Sequence, residues 1–257
     1  MTSLGPIVVK IGGSTLGTKD SSLADVARLA ADGCHPIVVH GGGAAVTDWM
    51  DRLGIRAEFA GGLRVTDGPS LDVVTAVLAG LVNKGLVQQL AAYGARAIGI
   101  SGADGGLLSG RVDDLALGFV ASTVTVDPQL IRDLVDAGYV PVIAPLAIDE
   151  SEGRHLLNVN ADTAAGAIAA TMGVADLVFL TDVDGVLDAN GRLLRRVPGG
   201  QVQEMIDRGV VKAGMIPKVR ACMAAAEAGV RAQIINGTQA SALAFCLDGN
   251  SQGTTVV

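Results

Sequence analysis

Aromatic residues are scarce in this chain, at 3% of its 257 residues, whereas hydrophobic residues of all kinds reach 49%. Stacked rings therefore cannot build the core. The apolar positions must be filled mainly by Val, Ile, Leu and Ala, which is typical of parallel sheets covered by helices.

Cysteine is also rare, and Cys34, Cys222 and Cys246 stand far apart with no CxxC pair. An odd, isolated set does not predict a disulfide scaffold and favours a reducing compartment. The N-terminus lacks a charged-then-apolar signal pattern, and the sequence suggests no apolar run of membrane-spanning length. We therefore expect a cytoplasmic protein with no membrane partner.

Positive charge is in deficit, because 19 Lys and Arg residues face 26 Asp and Glu residues, for a formal net charge of -7. Without a basic stripe to neutralise phosphates, we expect no nucleic-acid partner. A small polyphosphate ligand is still compatible with this charge, since one nearby Lys outweighs a diffuse negative field at close range.

Short apolar runs alternate with helical patterns along the whole chain. The pattern predicts β segments at Ile7–Ile11, Ile37–Val39, Ala97–Ile100, Phe119–Val126, Val140–Ala144, Leu177–Leu180 and Ala232–Ile235. It predicts helices at Leu23–Leu29, Ala44–Leu53, Leu71–Leu90, Pro128–Ala137, Ala161–Met172, Gln201–Arg208 and Ile216–Ala228. This alternation predicts an α/β fold with an open, mostly parallel central sheet sandwiched between helices.

We expect a single domain over residues 1–257, with an N-terminal lobe to about residue 173 and a C-terminal lobe over residues 174–257. Ligands of such sheets bind beyond the carboxyl ends of the strands. Glycine is abundant, at 35 residues, and clusters in the loops after predicted strands. These loops are therefore the candidate binding sites.

Two lysines stand where a phosphate could be held. Lys10 ends the first predicted strand and precedes Gly12 and Gly13, so its amine and the loop N–H groups could hold phosphate oxygens. Lys218 lies in the first turn of a predicted helix, where a cation is unfavourable unless an anion is nearby. The simpler alternative for Lys10 is a side chain extending from the sheet end into solvent.

His40 and three glycines, Gly41 to Gly43, follow the second predicted strand and open a helix. Such a loop lets a ligand approach the backbone at a helix N-terminus. His40 by itself is more typical of a hydrogen-bonded structural histidine than of a base. Arg64 follows two glycines and could hold a carboxylate with two hydrogen bonds, or could form a surface ion pair with Asp67.

Asn158, Asn160 and Asp162 alternate just before the Ala-rich helix, and an extended segment would point all three to one side. Asp162 could also be a simple helix-start carboxylate, but two amides and one carboxylate favour a site. The run from Asp182 to Gly185 follows another strand. Its aspartates could hold a ribose, bind a metal or form an Asx turn.

Seven motifs in this order resemble the amino acid kinase family, and within it the acetylglutamate branch. They are Lys10-Ile-Gly-Gly, His40-Gly-Gly-Gly, Gly62-Leu-Arg-Val-Thr-Asp, Asn83-Lys84, Asn158-Val-Asn-Ala-Asp, Thr181-Asp-Val-Asp-Gly and Gly214-Met-Ile-Pro-Lys. The resemblance implies an ATP-dependent kinase that phosphorylates the side-chain carboxylate of N-acetyl-L-glutamate, a step of arginine biosynthesis. It also implies that Mg²⁺ is held mainly by the ATP phosphates, with no protein metal site.

The resemblance also implies residue roles. Lys10 and Lys218 would stabilise the transferring phosphoryl group, and Asp162 would hold the two lysines. Substrate would be bound by Gly42, Gly43, Arg64, Asn158 and Asn160. The nucleotide would be bordered by Gly12, Gly13, Asp182, Val183, Asp184, Gly185, Val186, Leu187, Val210, Val211 and Lys212.

Elementary chemistry agrees with this resemblance. A side-chain carboxylate has a pKa near ~4.3 and is already ionised at neutral pH, so it needs no general base. The chain has only 3 His, and none is an obvious base. Alignment and charge neutralisation of the moving phosphoryl group are what such a reaction requires.

Other readings are a sister kinase acting on carrier-linked aminoadipate or glutamate, a carbamate or nucleotide-monophosphate kinase, and a non-catalytic sensor on the same fold. The glycine triplet argues against the aminoadipate kinase, and the Arg64 segment argues against the carbamate and nucleotide-monophosphate kinases. The presence of both lysines argues against a sensor. A dehydrogenase lacks its dinucleotide fingerprint here. Arginine-regulated relatives carry a helix before the first strand. The early first strand therefore leads us to expect a homodimer without arginine feedback.

Overall fold

The computed structural model describes residues 5–12, 21–151, 155–211, 214–250 and 253–257. The strands are β1 (Pro6–Ile11), β2 (His35–His40), β3 (Phe59–Ala60), β4 (Leu63–Arg64), β5 (Ala97–Ser101), β6 (Leu108–Gly110), β7 (Val120–Ala121), β8 (Val124–Val126), β9 (Val140–Ala144), β10 (Leu146–Asp149), β11 (Leu156–Val159), β12 (Asp176–Thr181), β13 (Arg196–Val197), β14 (Arg231–Asn236) and β15 (Thr254–Val256).

The α-helices are α1 (Ser22–Ala31), α2 (Gly43–Arg52), α3 (Gly68–Thr75), α4 (Asn83–Ala92), α5 (Gln129–Asp136), α6 (Ala161–Met172), α7 (Gly199–Asp207), α8 (Met215–Glu227) and α9 (Ala242–Phe245). A π-helical segment, Ala76–Val82, joins α3 to α4 without a break, and another, Cys246–Asn250, follows α9. Short 3₁₀ turns cover Asp104–Gly106 and Leu115–Leu117.

Within the described residues, the main sheet has eight strands in the order β13-β15-β14-β12-β1-β2-β9-β5. Its neighbouring strands are parallel except for the antiparallel pair β14 and β15. The predicted open, mostly parallel sheet is therefore confirmed. The proposed lobe boundary near Gly173 stays a prediction, although Gly173 does end α6 in a left-handed conformation.

Two apolar layers cover the sheet, and the alternation of side chains along a strand decides which layer each residue joins. Val8 of β1 packs in the cluster that contains residues of α6 and α8. Val9 packs in the cluster on the other face, with residues of α1 and α4. Lys10 follows Val8 in this alternation, and its side chain therefore reaches the face covered by α6 and α8.

Five more strands form a second sheet, in the order β7-β11-β10-β6-β8. The strands β3 and β4 form a separate two-stranded hairpin. The sequence pattern predicted one β segment at Phe119–Val126, whereas the structure has two short strands there, β7 and β8. β11 ends at Val159, immediately before the start of α6. The second sheet thus presents the Asn158–Asp162 segment to the end of β1.

One helical stretch, Gly68–Ala92, is 25 residues long and is apolar enough to cross a membrane by length and composition alone. It is not an unbroken apolar run, because it contains Asp72 and Lys84, and the core helix of a soluble protein meets the same two criteria. The expectation that no apolar run reaches this length stays a prediction. About two fifths of the most apolar window of this stretch, 39%, is buried inside the protein. Leu86 and Leu90 fill the core there, next to Val140 and Val142 of β9.

Candidate active site

Lys10 and Lys218 meet at one carboxylate. The Lys10 Nζ lies 2.8 Å from Asp162 Oδ1, and the Lys218 Nζ lies 3.1 Å from each Asp162 oxygen. The three residues are between 5% and 9% exposed. Two ammonium groups from opposite ends of the chain therefore converge on one point, as the proposed kinase mechanism requires.

Local sequence explains how Asp162 is held. The Asn160 Oδ1 caps α6 by accepting hydrogen bonds from the N–H groups of Asp162, at 2.8 Å, and Thr163, at 3.2 Å. A cap of this kind stabilises a helix by about 1 kcal/mol. Asp162 therefore sits in the first turn, where the helix dipole favours a negative charge.

Burial and charge act against each other in this cluster. Burial alone would raise the pKa of Asp162, but Lys10 and Lys218 together hold that pKa below its usual value of 3.8. The pKa of Lys10 is lowered, because burial and the neighbouring Lys218 outweigh the attraction of Asp162. Two cations beside one anion leave an excess positive charge, which a phosphate group would neutralise.

A cavity of about 230 Å³ opens beside this cluster at the carboxyl ends of β1 and β2. Its walls include seven of the predicted residues: Lys10, Gly42, Gly43, Arg64, Asn158, Asn160 and Asp162. The prediction that ligands bind beyond the strand ends therefore matches where these residues gather. Their individual roles stay predictions.

Arg64 is buried in the wall of this cavity, at 8% exposure. Its guanidinium donates to the Gly43 carbonyl at 3.0 Å, to Thr47 Oγ1 at 2.8 Å and to Met50 Sδ at 3.2 Å. The Phe59 ring lies 4.7 Å from its central carbon. Guanidinium carries five N–H donors. These bonds use both donors of Nη2 and one of Nη1, which leaves the Nε–H and one Nη1–H, on different edges of the group.

The alternative in which Arg64 pairs with Asp67 is wrong. Asp67 instead caps α3, where its Oδ1 accepts from the Ser70 N–H at 2.9 Å. Among the ion pairs between residues that the structure describes, none involves Arg64. Burial lowers the pKa of Arg64, and a bound carboxylate would compensate for this burial.

Thr66 joins the two predicted substrate residues. Its hydroxyl donates to the Arg64 carbonyl at 2.9 Å, and it therefore accepts from the Asn158 Nδ2 at 3.1 Å. This pairing fixes the orientation of the Asn158 amide. One N–H and the oxygen of Asn158 are thereby left for a ligand in the cavity.

The model of the Amino acid kinase family matches residues 5–236 of the chain. The chain belongs to the amino acid kinase family. Acetylglutamate kinase from Dehalococcoides mccartyi is 41% identical over 255 residues, covering 98% of this chain and 94% of that protein. Acetylglutamate kinase from Paracoccus denitrificans is 46% identical over 233 residues, covering 89% and 76% respectively.

The same fold occurs in a solved protein from Streptococcus mutans UA159, with a TM-score of 0.84, 28% identity and 98% coverage of both chains. The predicted membership of the amino acid kinase family, and of its acetylglutamate branch, is therefore confirmed.

A second cavity of about 240 Å³ opens at the same end of the sheet, beyond β12 and β14, and Asp184 lines it. The Asp184 Oδ1 accepts from the Asn236 Nδ2 at 2.9 Å. The aspartate run thus lies beside a pocket next to the lysine cluster, since β12 and β1 are adjacent. The role of this cavity in nucleotide binding stays a prediction.

The other predicted nucleotide residues are placed less uniformly. Gly12 is buried, whereas Asp182, Val183 and Leu187 are exposed. Gly185 has a φ of 146° and leaves no room for a Cβ, which would lie 2.5 Å from Thr254 Oγ1.

The remaining predicted nucleotide residues are two buried valines, one half-buried valine and two residues that the structure does not describe. The Val186 and Val211 side chains pack in the core, so only their backbone could face a ligand. Val210 is half-buried. Gly13 and Lys212 lie outside the described residues.

Sequence reasoning missed several residues around these cavities. The Phe179 ring lies 5.4 Å below the Lys218 amine, and Phe59 covers Arg64. Asn236 and Gln239 line the second cavity. Of these, Asn236 carried a usable signal, because it ends β14 at the carboxyl edge of the sheet.

Proposed function

We propose that this chain transfers the γ-phosphoryl group of ATP to the side-chain carboxylate of N-acetyl-L-glutamate. A carboxylate oxygen forms a bond to the γ-phosphorus while the bond from that phosphorus to the β–γ bridging oxygen breaks. The products are N-acetyl-glutamyl 5-phosphate and ADP. The convergence of Lys10 and Lys218 on Asp162 is the observation that carries this proposal.

Each group in the cavity has a part in this chemistry. Two ammonium groups beside the glycine loop would neutralise charge that develops on the phosphoryl oxygens. Arg64 would attract the α-carboxylate of the substrate by its positive charge and would donate one remaining N–H to it, and Asn158 would assist it. The side-chain carboxylate would then point toward Lys10. The close acetylglutamate kinase relatives support this choice of substrate.

Mg²⁺ would enter with ATP. Among the described residues, no group of three His, Cys, Asp or Glu side chains is placed to hold a metal ion. Both oxygens of Asp162 already contact lysines. The metal would therefore be held mainly by the nucleotide phosphates and would neutralise part of their charge.

A hydroxylamine trap tests the proposed function directly. The protein is incubated with ATP, Mg²⁺, hydroxylamine and one acid from a panel of N-acetyl-L-glutamate, L-glutamate, N-acetyl-L-aspartate and N-acetyl-L-glutamine. An acyl phosphate is captured as a hydroxamate, and we expect it mainly with N-acetyl-L-glutamate. No hydroxamate with any acid, or equal yield from free glutamate, would contradict the proposal.

Replacing Arg64 with alanine should raise the KM for N-acetyl-L-glutamate by roughly 10- to 100-fold, because a charge-assisted hydrogen bond is lost. The KM for ATP should change little. Steady-state kinetics with each substrate varied in turn measures both constants. Arg56→Ala is the control, since Arg56 is exposed and makes only a loose ion pair of 3.9 Å with Glu58. Equal rises in both KM values would count against this role of Arg64.

We also propose a homodimer that forms through the helical stretch Gly68–Ala92. Its apolar face is exposed: Leu81 is 54% exposed and stands near Leu53, at 60%. A second copy would cover this face. Sedimentation of the wild-type protein should give twice the chain mass of 25.9 kDa. Sedimentation of Leu81→Asp should give the mass of one chain. A monomeric or hexameric wild-type protein would refute this assembly.

The three cysteines, Cys34, Cys222 and Cys246, are buried, and none of them forms a disulfide bond within the described residues. Together with the biosynthetic role, they support a cytoplasmic location as part of the proposal.

A further inference from the structure

A chain of polar contacts, formed by the buried His40 and Asn83 and the exposed Lys84, lies under the glycine loop and is not used by the chemistry described so far. His40 is fully buried at the end of β2. Its Nδ1 lies 2.7 Å from the Gly41 carbonyl oxygen, and its Nε2 lies 3.1 Å from the Nδ2 of Asn83. The Lys84 amine donates to Asn83 Oδ1 at 3.0 Å and to the Gly99 carbonyl at 2.7 Å.

Lys84 fixes the orientation of the Asn83 amide, and the Gly41 carbonyl fixes the tautomer of His40. The ammonium group of Lys84 only donates, so the Asn83 oxygen faces Lys84 and the Asn83 amide nitrogen faces His40. The same nitrogen faces the Ile100 carbonyl at 3.2 Å and the Val142 carbonyl at 2.8 Å, so its two N–H groups are shared among three acceptors. Because the Gly41 carbonyl can only accept, the single proton of the neutral ring is on Nδ1. That N–H donates to the Gly41 carbonyl.

Burial keeps His40 neutral. Burial, with a smaller contribution from the charges of Lys10 and Lys84, lowers the pKa of His40 to about 4, although the hydrogen bond to Gly41 opposes this shift. The ring therefore stays in one tautomer at neutral pH. The arrangement argues against a general-base role, since the Nε2 lone pair faces the Asn83 amide and His40 does not line the cavity.

The packing around Asn83 is close. A Cβ on Gly99 would lie 1.9 Å from Asn83 Oδ1, so this position requires glycine. Asn83 also donates to the Val142 carbonyl at 2.8 Å. Asn83 begins α4 directly after the π-helical segment, a helix irregularity that is frequent at functional sites.

His40 controls the direction of one backbone N–H. In a trans peptide the C=O and the following N–H point in opposite directions. The Gly41 carbonyl points to His40, and the N–H of Gly42 must therefore point away from it. Within the part of the chain that the structure describes, no group accepts from this N–H, and Gly42 lines the cavity beside Lys10.

We propose that His40, oriented by Asn83 and Lys84, is a positioning residue that turns the Gly41–Gly42 peptide so that the Gly42 N–H faces the transferring phosphoryl group. This inference rests on the proposed function. Gly42 itself, with a φ of 154°, fits against Leu78 and Val82, where a Cβ would lie 2.7 Å and 3.2 Å from their side chains.

Two substitutions of His40 separate positioning from packing. In His40→Asn the amide nitrogen takes the place of Nδ1 and keeps the bond to Gly41. In His40→Gln the amide nitrogen of glutamine takes the place of Nε2, and the hydrogen bond to the Gly41 carbonyl is lost. We expect His40→Gln to lower kcat roughly 10- to 100-fold, with both KM values changed less than about threefold.

His40→Asn should recover most of the lost kcat, although both variants should melt at lower temperature than the wild type. Equal loss of kcat in the two variants, or no loss in His40→Gln, would overturn the proposal. Stability alone would then account for His40.

Nitrogen-15 NMR of the wild-type imidazole provides a test that is independent of catalysis and of variant folding. We expect His40 to be the Nδ1–H tautomer, without titration between pH 5.5 and 8. An Nε2–H tautomer, or a titration near pH 6.5, would overturn the proposal. If the wild type makes no acyl phosphate in the hydroxylamine trap, the proposed function fails, whereas the tautomer result still tests this chain of polar contacts separately.

Discussion

Lys218→Met is expected to slow turnover by roughly 100- to 1,000-fold, as does the loss of one preorganised charge-stabilising contact in other enzymes. Methionine keeps the apolar stem beside Phe179 but removes the ammonium group that contacts Asp162 at 3.1 Å. Lys10→Met should act in the same direction. Single-turnover measurements with saturating ATP and N-acetyl-L-glutamate give the rate of phosphoryl transfer.

Stability should not follow activity in these two variants. Removing one member of a buried ion pair is costly because it leaves an unpaired buried charge. Here the replacement of one lysine leaves no charge unpaired and removes the repulsion between the two amines. Asp162 keeps one lysine in each variant. Urea denaturation should therefore give an unfolding free energy close to that of the wild type.

Arg220→Met is the matched control for Lys218→Met. It lies two residues later on α8 but is exposed, so the same change of side chain should leave the turnover unaffected. Near-wild-type turnover in both lysine variants would end the proposed mechanism.

Asp162→Asn is expected to destabilise the protein by about 3–5 kcal/mol, because it leaves two buried cations without their shared anion. Turnover should also fall, since the Lys10 and Lys218 amines would repel each other and move apart. Equilibrium urea unfolding at pH 7 measures the first effect, and the hydroxamate assay measures the second. An Asp162→Asn protein as stable as the wild type would contradict this account.

The pH dependence of this effect has a definite sign. The lysines hold the pKa of Asp162 below 3.8 in the folded protein. The ionised Asp162 therefore makes its full contribution to the unfolding free energy above pH 3.8. This contribution is lost as the pH falls through the lower pKa of the folded protein. The stability gap between wild type and Asp162→Asn should stay constant from pH 5 to 7 and narrow only in stronger acid.

A double-mutant cycle separates charge from packing. In the Lys218→Met background, Asp162→Asn leaves only one buried cation without its anion. The loss of unfolding free energy caused by Asp162→Asn should therefore be smaller there than in the wild type by at least about 1 kcal/mol. Additive effects would indicate that Asp162 stabilises α6 locally rather than the two amines.

Strong periodic segments were predictable from the sequence. The predicted bounds of α6, Ala161–Met172, coincide with the observed ones, because Asn160 provides a cap and Gly173 a left-handed end. Most strands of the main sheet were placed within one or two residues, since buried runs of Val, Ile and Leu between glycines carry a clear signal. Boundaries of this kind depend on local chemistry only.

The second sheet could not be predicted in detail. Its strands have two to four residues, which is too short for an alternation of polar and apolar side chains to appear. The π-helical segment before Asn83 leaves no sequence signal either. Both features depend on tertiary packing.

The site was predictable only in part. Alternation along β1 indicates that Lys10 shares a face with Val8, but local sequence does not reveal that Asp162 and Lys218 approach the same face. That meeting followed from the family resemblance. The support under the site, Thr66 behind Asn158 and Phe179 below Lys218, depends on contacts between residues distant in the chain and had no signal of its own.

The position of β1 beside β12 has a consequence for how the protein is made. Ile7 lies next to Asp176 in that ladder. During synthesis β1 therefore cannot pair with β12 until the ribosome has added the roughly 170 residues that separate them. Such long-range pairing raises the contact order and slows folding. A nascent chain that contains β1 and β2 alone leaves one edge of β1 open. Until β12 has left the ribosome, chaperones or other unfolded chains could bind this unpaired edge in place of β12.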